Sequence, residues 1–248
     1  MKTLIEAWNL ELTGETITST TGVVAFTKDA VLKISKVDDE QTALVLNHYN
    51  GHGAVKLLRS DGNATLLERV VPGTHLSSID DNEATHVLCE VIRQLHSNKG
   101  LLDLPNIAAL QKGFRNVAQI PYELVKQAND IYTDLLSSQD NPVVLHGDLH
   151  HDNVLFDDNR GWLAIDPKGY IGEPAYEVGA MLRNPQGVAI TPELTMQRVD
   201  IIAKQLNLDK ERIIKWAFTQ AVLAAIWCVE DKQPHEWMLA AAVAFQKL

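Results

Sequence analysis

Two short runs rich in β-branched and apolar residues, GVVAFT at 22–27 and AVLKIS at 30–35, flank Lys28-Asp29 near the start of the chain. Their length and the two polar residues between them predict a β-hairpin with a tight turn. From 38 to 50 the spacing lengthens, with Ala43, Leu44 and Leu46 among polar neighbours, and predicts a helix. Asn50-Gly51-His52-Gly53 should end it, since glycine is favoured just past a helix C-cap. Further strands are predicted at 54–60 and 64–70 about Asp61-Gly62-Asn63, and Val71-Pro72-Gly73 reads as a link. Beyond Asp80 helical spacing dominates, over 80–98, 121–138, 174–183, 191–206, 209–230 and 235–247. Strands at 143–146, 154–157 and 161–165 interrupt it. The pattern predicts an α+β chain, a small sheet followed by a mostly helical part, with no internal repeat.

Composition narrows the class. At 248 residues, 46% hydrophobic and 22% charged, the chain resembles an ordinary soluble globular protein with room for two lobes. No cationic apolar leader is present, and no uninterrupted apolar run nears twenty residues. WAFTQAVLAAIWCV at 216–229 is the longest candidate, but it is short and carries Gln220, so it reads as a buried helix. Cys89 and Cys228 sit inside apolar helical patterns and make no disulfide framework, which points to a reducing cytoplasm. A formal net charge of −10 argues against nucleic acid as a partner, because phosphate backbones need a basic face. It also suits attraction of a cationic small molecule, although acidity alone serves solubility equally well.

Candidate chemistry concentrates in VVLHGDLHHDNVLFDDNRGWLAIDPKG at 143–169. Asp148 lies five residues before Asn153, and Asp166 thirteen after it, arranged as strand, polar loop, strand and loop. Phosphoryl transfer at a protein-kinase-like site needs a carboxylate to orient the attacking hydroxyl. It also needs an amide and a second carboxylate to hold Mg²⁺ against the phosphates. Asp148 fits the first role, Asn153 and Asp166 the other two.

The loop HGDLHHDN resembles the phosphotransferase loop of the aminoglycoside phosphotransferase family, a branch of the protein-kinase-like fold. The DPKG that follows is similar to the aminoglycoside/hydroxyurea resistance kinases, a subgroup that includes streptomycin 6-kinases. YNGHGAVKLL at 49–58, LLERVVPG at 66–73, GEPAYEVGAMLRNP at 172–185 and ERIIKWAFTQAVLAAIWCVED at 211–231 resemble blocks of the same subgroup. The resemblance implies a bilobal fold, with an antiparallel-sheet nucleotide lobe over 1–70 and a helical lobe carrying the catalytic loop and acceptor site over 71–248. It implies transfer of the γ-phosphoryl group of ATP, with Mg²⁺, to a hydroxyl of a small molecule such as a streptomycin-like aminoglycoside.

Further roles follow from that likeness. Lys33 should contact the α- and β-phosphates and Val31, two positions earlier on the same strand face, should cover the base. Outside such a site a strand lysine is ordinarily solvent-facing. Glu40 is the only glutamate in 38–50 and is the candidate partner of Lys33. Registering the helix on YNGHGAV instead puts the subgroup's glutamate nearer Thr42, roughly 200° around the helix from Glu40. Ser19-Thr20-Thr21-Gly22 stands where a phosphate-binding loop belongs, Thr21 and Gly22 nearest the strand, and is otherwise an ordinary turn. Adenine should meet the backbone around Glu68, Arg69 and Val70, whose side chains equally suit a surface ion pair.

His146 should shape the catalytic loop, His150 and His151 should face solvent or support it, and Asp152 should cap it. Glu177 reads as an acceptor of loop N–H groups or as an exposed helical acid. For a cationic acceptor, Glu173, Glu230 and Asp231 are candidate charge-assisted partners and Trp227 a flat wall; core packing and solvated helix ends are the plainer readings. A sugar or amino-alcohol kinase would carry the same catalytic residues and is the alternative. A nucleotide-binding pseudokinase is opposed by the intact Asp148, Asn153 and Asp166. A zinc hydrolase would draw on His146, Asp148, His150, His151 and Asp152. Only His235 of the nine histidines follows that cluster, and Lys33 would have no role.

Overall fold

Helix α1 (Lys2–Ala7) precedes β1 (Leu12–Thr18), β2 (Gly22–Thr27), β3 (Ala30–Ser35), α2 (Glu40–Tyr49), β4 (Leu57–Asp61) and β5 (Ala64–Glu68). The computed structural model describes residues 2–19, 21–36 and 39–248; Thr20 of the predicted phosphate loop and Asp38 of the predicted helix lie outside the described residues. The five strands form one antiparallel sheet in the order β1-β2-β3-β5-β4. Register separates its faces. Val24 and Phe26 of β2 pair with Lys33 and Val31 of β3, which pair with Thr65 and Leu67 of β5, so these side chains share one face. Ala25, Leu32 and Leu66 take the other, where they pack with Ile5 of α1 and Trp8. β1 escapes the sequence pattern because it is an edge strand: six of its seven residues are exposed, so no apolar alternation marks it.

The chain continues through β6 (Pro72–His75), α3 (Asp81–Leu95), α4 (Tyr122–Ser137), β7 (Val143–Leu145), β8 (Val154–Asp157), β9 (Gly161–Ala164) and β10 (Tyr170–Gly172). Helices α5 (Pro174–Glu177), α6 (Gly179–Leu182), α7 (Pro192–Leu206), α8 (Lys210–Glu230) and α9 (Glu236–Gln246) complete it. Three helix starts coincide with side-chain caps. Asp80 accepts from the Asn82 and Glu83 N–H groups, Thr191 from Leu194 and Asp209 from Arg212. Asn50 itself, in a left-handed conformation, ends α2 ahead of the glycines. The helix expected over 174–183 is two short helices that meet at Val178.

Val71-Pro72-Gly73 is more than a link, since β6 pairs with β8 at the edge of a β6-β8-β9 sheet. Proline is tolerated at an edge because its missing N–H costs no ladder bond there. Asp157 at the end of β8 accepts the Val71 N–H at 3.2 Å, which fastens the linker to the second lobe. Helix α8 is long and apolar enough by composition to cross a membrane, yet every residue from Trp216 to Ile226 is buried in the lobe. It is the core helix that the Gln220 argument anticipated. Val45, Leu46 and Tyr49 of α2 belong to the same buried cluster as Leu88, Val144 and Leu163, so α2 is packed into the helical lobe as well as joined to the sheet.

Candidate active site

The Lys33 face of the sheet looks onto β8 and the segment after β9 across a cleft of about 530 Å³. Val31, Lys33, Thr21, Gly22, Glu68, Arg69 and Val70 all line it, and so does Asp166. Gly22 has no room for a side chain: a Cβ there would lie 2.4 Å from the Ile34 carbonyl oxygen. The N–H groups of Thr21 and Gly22 donate to the Ser19 hydroxyl at 3.2 and 3.1 Å, so they converge on one oxygen. Along the linker, the Glu68 N–H donates to the Lys56 carbonyl, Arg69 to that of Asp29 and Val71 to Asp157. The Val70 N–H has no protein acceptor among the described residues. The side chains of Glu68 and Arg69 do not pair with each other; Glu68 binds Arg160, and Arg69 donates to the Thr27 carbonyl at 2.6 Å.

Lys33 donates to Asp166 Oδ1 and lies 3.3 Å from Asp39 Oδ2. Among the described residues Asp39, one residue before the expected Glu40, is the acid of the helix start seen within ion-pair reach of Lys33; the Glu40 side chain is exposed at the first helical position. Burial would lower the Lys33 pKa, but Asp166 and Asp39 outweigh it and raise the value. Thr42, the position that the alternative helix register favours, is buried and its hydroxyl donates to the Pro167 carbonyl at 2.8 Å. It braces the loop beside Asp166 instead of pairing with the lysine.

His146 is the hub of the catalytic loop. Its N–H donates to Glu177 Oε2 at 2.7 Å, and the next N–H, from Gly147, to Glu177 Oε1 at 2.9 Å. Its ring accepts the Asp148 N–H at Nδ1 (3.3 Å) and donates from Nε2 to the Ile165 carbonyl (2.8 Å), so these two partners select the Nε2–H tautomer. Its carbonyl accepts the N–H groups of Lys168 and Gly169 at 2.8 and 3.2 Å. Gly147, at φ +80°, needs its lack of a side chain because a Cβ would lie 2.7 Å from the Tyr170 ring. Burial would raise the Glu177 carboxyl, but hydrogen bonding to His96 and Gly147 and the nearby His146 hold it below its ordinary value. Glu177 is thus a buried acceptor, not an exposed helical acid.

Asp148 is partly exposed, and its carboxylate makes no hydrogen bond among the described residues. The Asn153 amide Nδ2 donates to the Asp148 carbonyl at 2.8 Å, which leaves Oδ1 to accept from or coordinate another group. Asn153 O accepts the Ile165 N–H at 2.9 Å, so the β8-β9 hairpin places Asn153 beside the residue that precedes Asp166. Asp166 adopts φ +59°, a left-handed conformation that aspartate tolerates better than bulkier residues and that recurs at functional turns. Burial would raise its carboxyl, but Lys168 and Lys33 hold it below the usual carboxylate range.

The expected acceptor residues divide. Glu173 does not face the site: it is buried, Oε2 accepts from Arg212 Nε at 2.6 Å, and Oε1 accepts from Trp216 Nε1. Both oxygens are spent inside the helical lobe, which corrects the sequence expectation. Glu230 binds Arg115 at 2.8 Å, Asp231 caps α8 exposed, and Trp227 is 37% exposed beside Gly113. Burial raises the Cys228 thiol with Asp231 adding to it and Arg183 opposing, while buried Arg183, lowered by desolvation, is opposed by Asp148.

An ionised Asp166 and a free Asn153 amide oxygen are hard oxygen donors of the kind that could hold a divalent cation such as Mg²⁺. Among the described residues no three His, Cys, Asp or Glu side chains converge as a metal cage. His146 has both ring nitrogens committed, so the zinc alternative lacks its first ligand. Sequence reasoning missed Asp39, Lys168 and Arg183. Lys168 stood in the DPKG block and Arg183 in GEPAYEVGAMLRNP, but nothing local marked the first as reaching Asp166 or the second as buried against Gln220. Asp39 carries the shorter acid, where the fold leads one to expect a glutamate.

Residues 13–232 match the protein family described as aminoglycoside/hydroxyurea antibiotic resistance kinase. A streptomycin 3''-kinase of Klebsiella pneumoniae is 30% identical over 244 residues, covering 92% of this chain and 91% of that protein. A streptomycin 6-kinase of Streptomyces glaucescens is 29% identical over 224 residues, covering 82% of this chain and 71% of that protein. The choline kinase LicA of Streptococcus pneumoniae superposes with a TM-score of 0.74 at 14% identity, over 99% of this chain and 97% of the other. That likeness shows the protein-kinase-like fold.

Proposed function

The chain belongs to the aminoglycoside/hydroxyurea antibiotic resistance kinase family and is a phosphotransferase, and from that premise we propose that it moves the γ-phosphoryl group of ATP to a hydroxyl of a streptomycin-like aminoglycoside. The observation that carries this reading is the convergence of Lys33 on Asp166 at one end of the cleft, with Asn153 beside it across the hairpin. Adenine lies against the linker, where the Val70 N–H is the amide left to donate. Val31 and Leu67 cover the base, the Thr21 and Gly22 N–H groups exchange the Ser19 hydroxyl for phosphate oxygens, and Lys33 holds the α- and β-phosphates. Asp166 and Asn153 hold Mg²⁺, which supplies positive charge against the phosphate oxygens when bound. Asp148, fixed by His146 and Glu177 but with its carboxylate unspent, orients the acceptor hydroxyl and takes its proton.

The relatives named for streptomycin support a cationic acceptor, and so does the net charge of −10. Trp227 and Asp231 at the end of α8 offer it a flat face and a carboxylate, with Glu230 shared with Arg115. Screening ATP consumption against aminocyclitols, sugars and amino alcohols tests the assignment. Turnover confined to guanidino aminocyclitols supports it, and turnover confined to neutral sugars or simple amino alcohols overturns the acceptor.

A further inference from the structure

Asp166 carries a cation at each carboxylate oxygen. Lys33 Nζ donates to Oδ1, and Lys168 Nζ lies 3.7 Å from Oδ2. The two lysines are placed differently. Lys33 stands on the sheet among residues of the nucleotide cleft, with its side chain 17% exposed. Lys168 stands on the catalytic-loop side, with its side chain 47% exposed. Its N–H donates to the His146 carbonyl at 2.8 Å, and a Cβ built on Gly147 would lie 3.6 Å from Lys168 Cβ. The side chain therefore starts beside the residue that precedes Asp148, and its flexible stem allows the ammonium to swing between Asp166 and groups near Asp148. With Lys33 on the α- and β-phosphates, the transferring group still needs a protein cation.

We propose that Lys168 is a catalytic residue of the phosphoryl transfer, its ammonium binding the oxygens of the γ-phosphoryl group as that group passes from ADP to the acceptor. This rests on the phosphotransferase reading. The bond from the γ-phosphorus to the ADP oxygen breaks, with its electron pair left on ADP. A bond from the acceptor oxygen to phosphorus forms, and the hydroxyl proton goes to Asp148. Negative charge spread over the three phosphoryl oxygens during that exchange is what a nearby ammonium stabilises.

The competing role is structural, in which Lys168 only balances the charge of Asp166. The two differ in which nucleotide they affect. With Mg²⁺ present, calorimetry on Lys168→Met should show AMP-PNP affinity down about tenfold, as for one lost charge-assisted hydrogen bond, and ADP affinity unchanged. Its kcat should fall about 10²–10³-fold, and Lys168→Arg should recover part of both losses because it keeps the charge. Parallel loss of ADP and AMP-PNP affinity, or a kcat within about twofold of wild type, would overturn the proposal. Lys168→Gln serves the same comparison should the Met variant fail to fold. Asp166→Ala is the control: if it binds Mg²⁺-nucleotide and turns over as wild type does, the phosphotransferase site itself is wrong, whatever Lys168 does.

Discussion

Lys33 of β3 donates a hydrogen bond to Asp166, 133 positions later in the chain, and so ties the sheet to the loop after β9. The ammonium also lies 3.3 Å from Asp39, which makes Lys33 the bridge between a helix start and the proposed metal carboxylate. Both partners are partly solvated, so the pair contributes modestly to stability and chiefly sets geometry.

Lys33→Met should therefore raise the ATP KM and lower kcat by about 10²-fold or more, while the melting temperature stays near wild type. Asp39→Asn should have the same direction and a smaller size, and Glu40→Gln should change little. Steady-state kinetics with a thermal melt checks the set. A Glu40→Gln effect as large as that of Lys33→Met would return the partner role to Glu40.

Glu177 gives the acid dependence of stability. Its pKa is lowered on folding, so its contribution is fully present above the ordinary 4.5 and is lost as pH falls through the lower folded value. Glu177→Gln replaces one acceptor oxygen by a donor and leaves the His146 or Gly147 N–H unsatisfied, a cost of about 1–3 kcal/mol. The variant should be less stable at pH 7, and the gap should close on acidification. Urea titrations at several pH values measure it; a gap independent of pH would contradict the assignment.

The strand-loop-strand unit that carries Asp148, Asn153 and Asp166 was legible in the sequence because it is local, two short apolar runs about a polar loop. Hairpins and capped helices were legible for the same reason. The rest depends on distant packing. Glu177 and Arg183 meet partners tens of residues away, His146 and Gln220 among them, which no local pattern announces, whereas Asp39 meets the nearby Lys33 at the start of α2. Glu173 shows the opposite failure, since a carboxylate in a matching block looks like a substrate contact until Trp216 and Arg212 are seen to occupy it. β1 was missed because an exposed edge strand has no apolar face to read.

Glu173 and the end of α8 make separable predictions. Glu173→Ala removes one partner of a buried pair and should destabilise the fold by about 3–5 kcal/mol. Glu230→Gln with Asp231→Asn should instead leave the melting temperature nearly unchanged and raise acceptor KM about tenfold or more, with ATP KM constant. Acceptor KM should also rise with salt, because screening weakens attraction between exposed charges. A flat salt response and a silent double variant would remove the cationic acceptor and leave phosphotransfer standing.

This cleft is proposed to transfer a phosphoryl group to a hydroxyl with Asp148 as the base. Mass spectrometry of a streptomycin-like acceptor after incubation with Mg²⁺-ATP, comparing wild type with Asp148→Asn, tests it most directly. The expected product is an acceptor carrying one phosphoryl group, formed about 10²–10⁴-fold more slowly by the variant with nucleotide affinity unchanged. Equal product from both enzymes, or tight nucleotide binding with no phosphorylated acceptor across the panel of hydroxyl compounds, would contradict it.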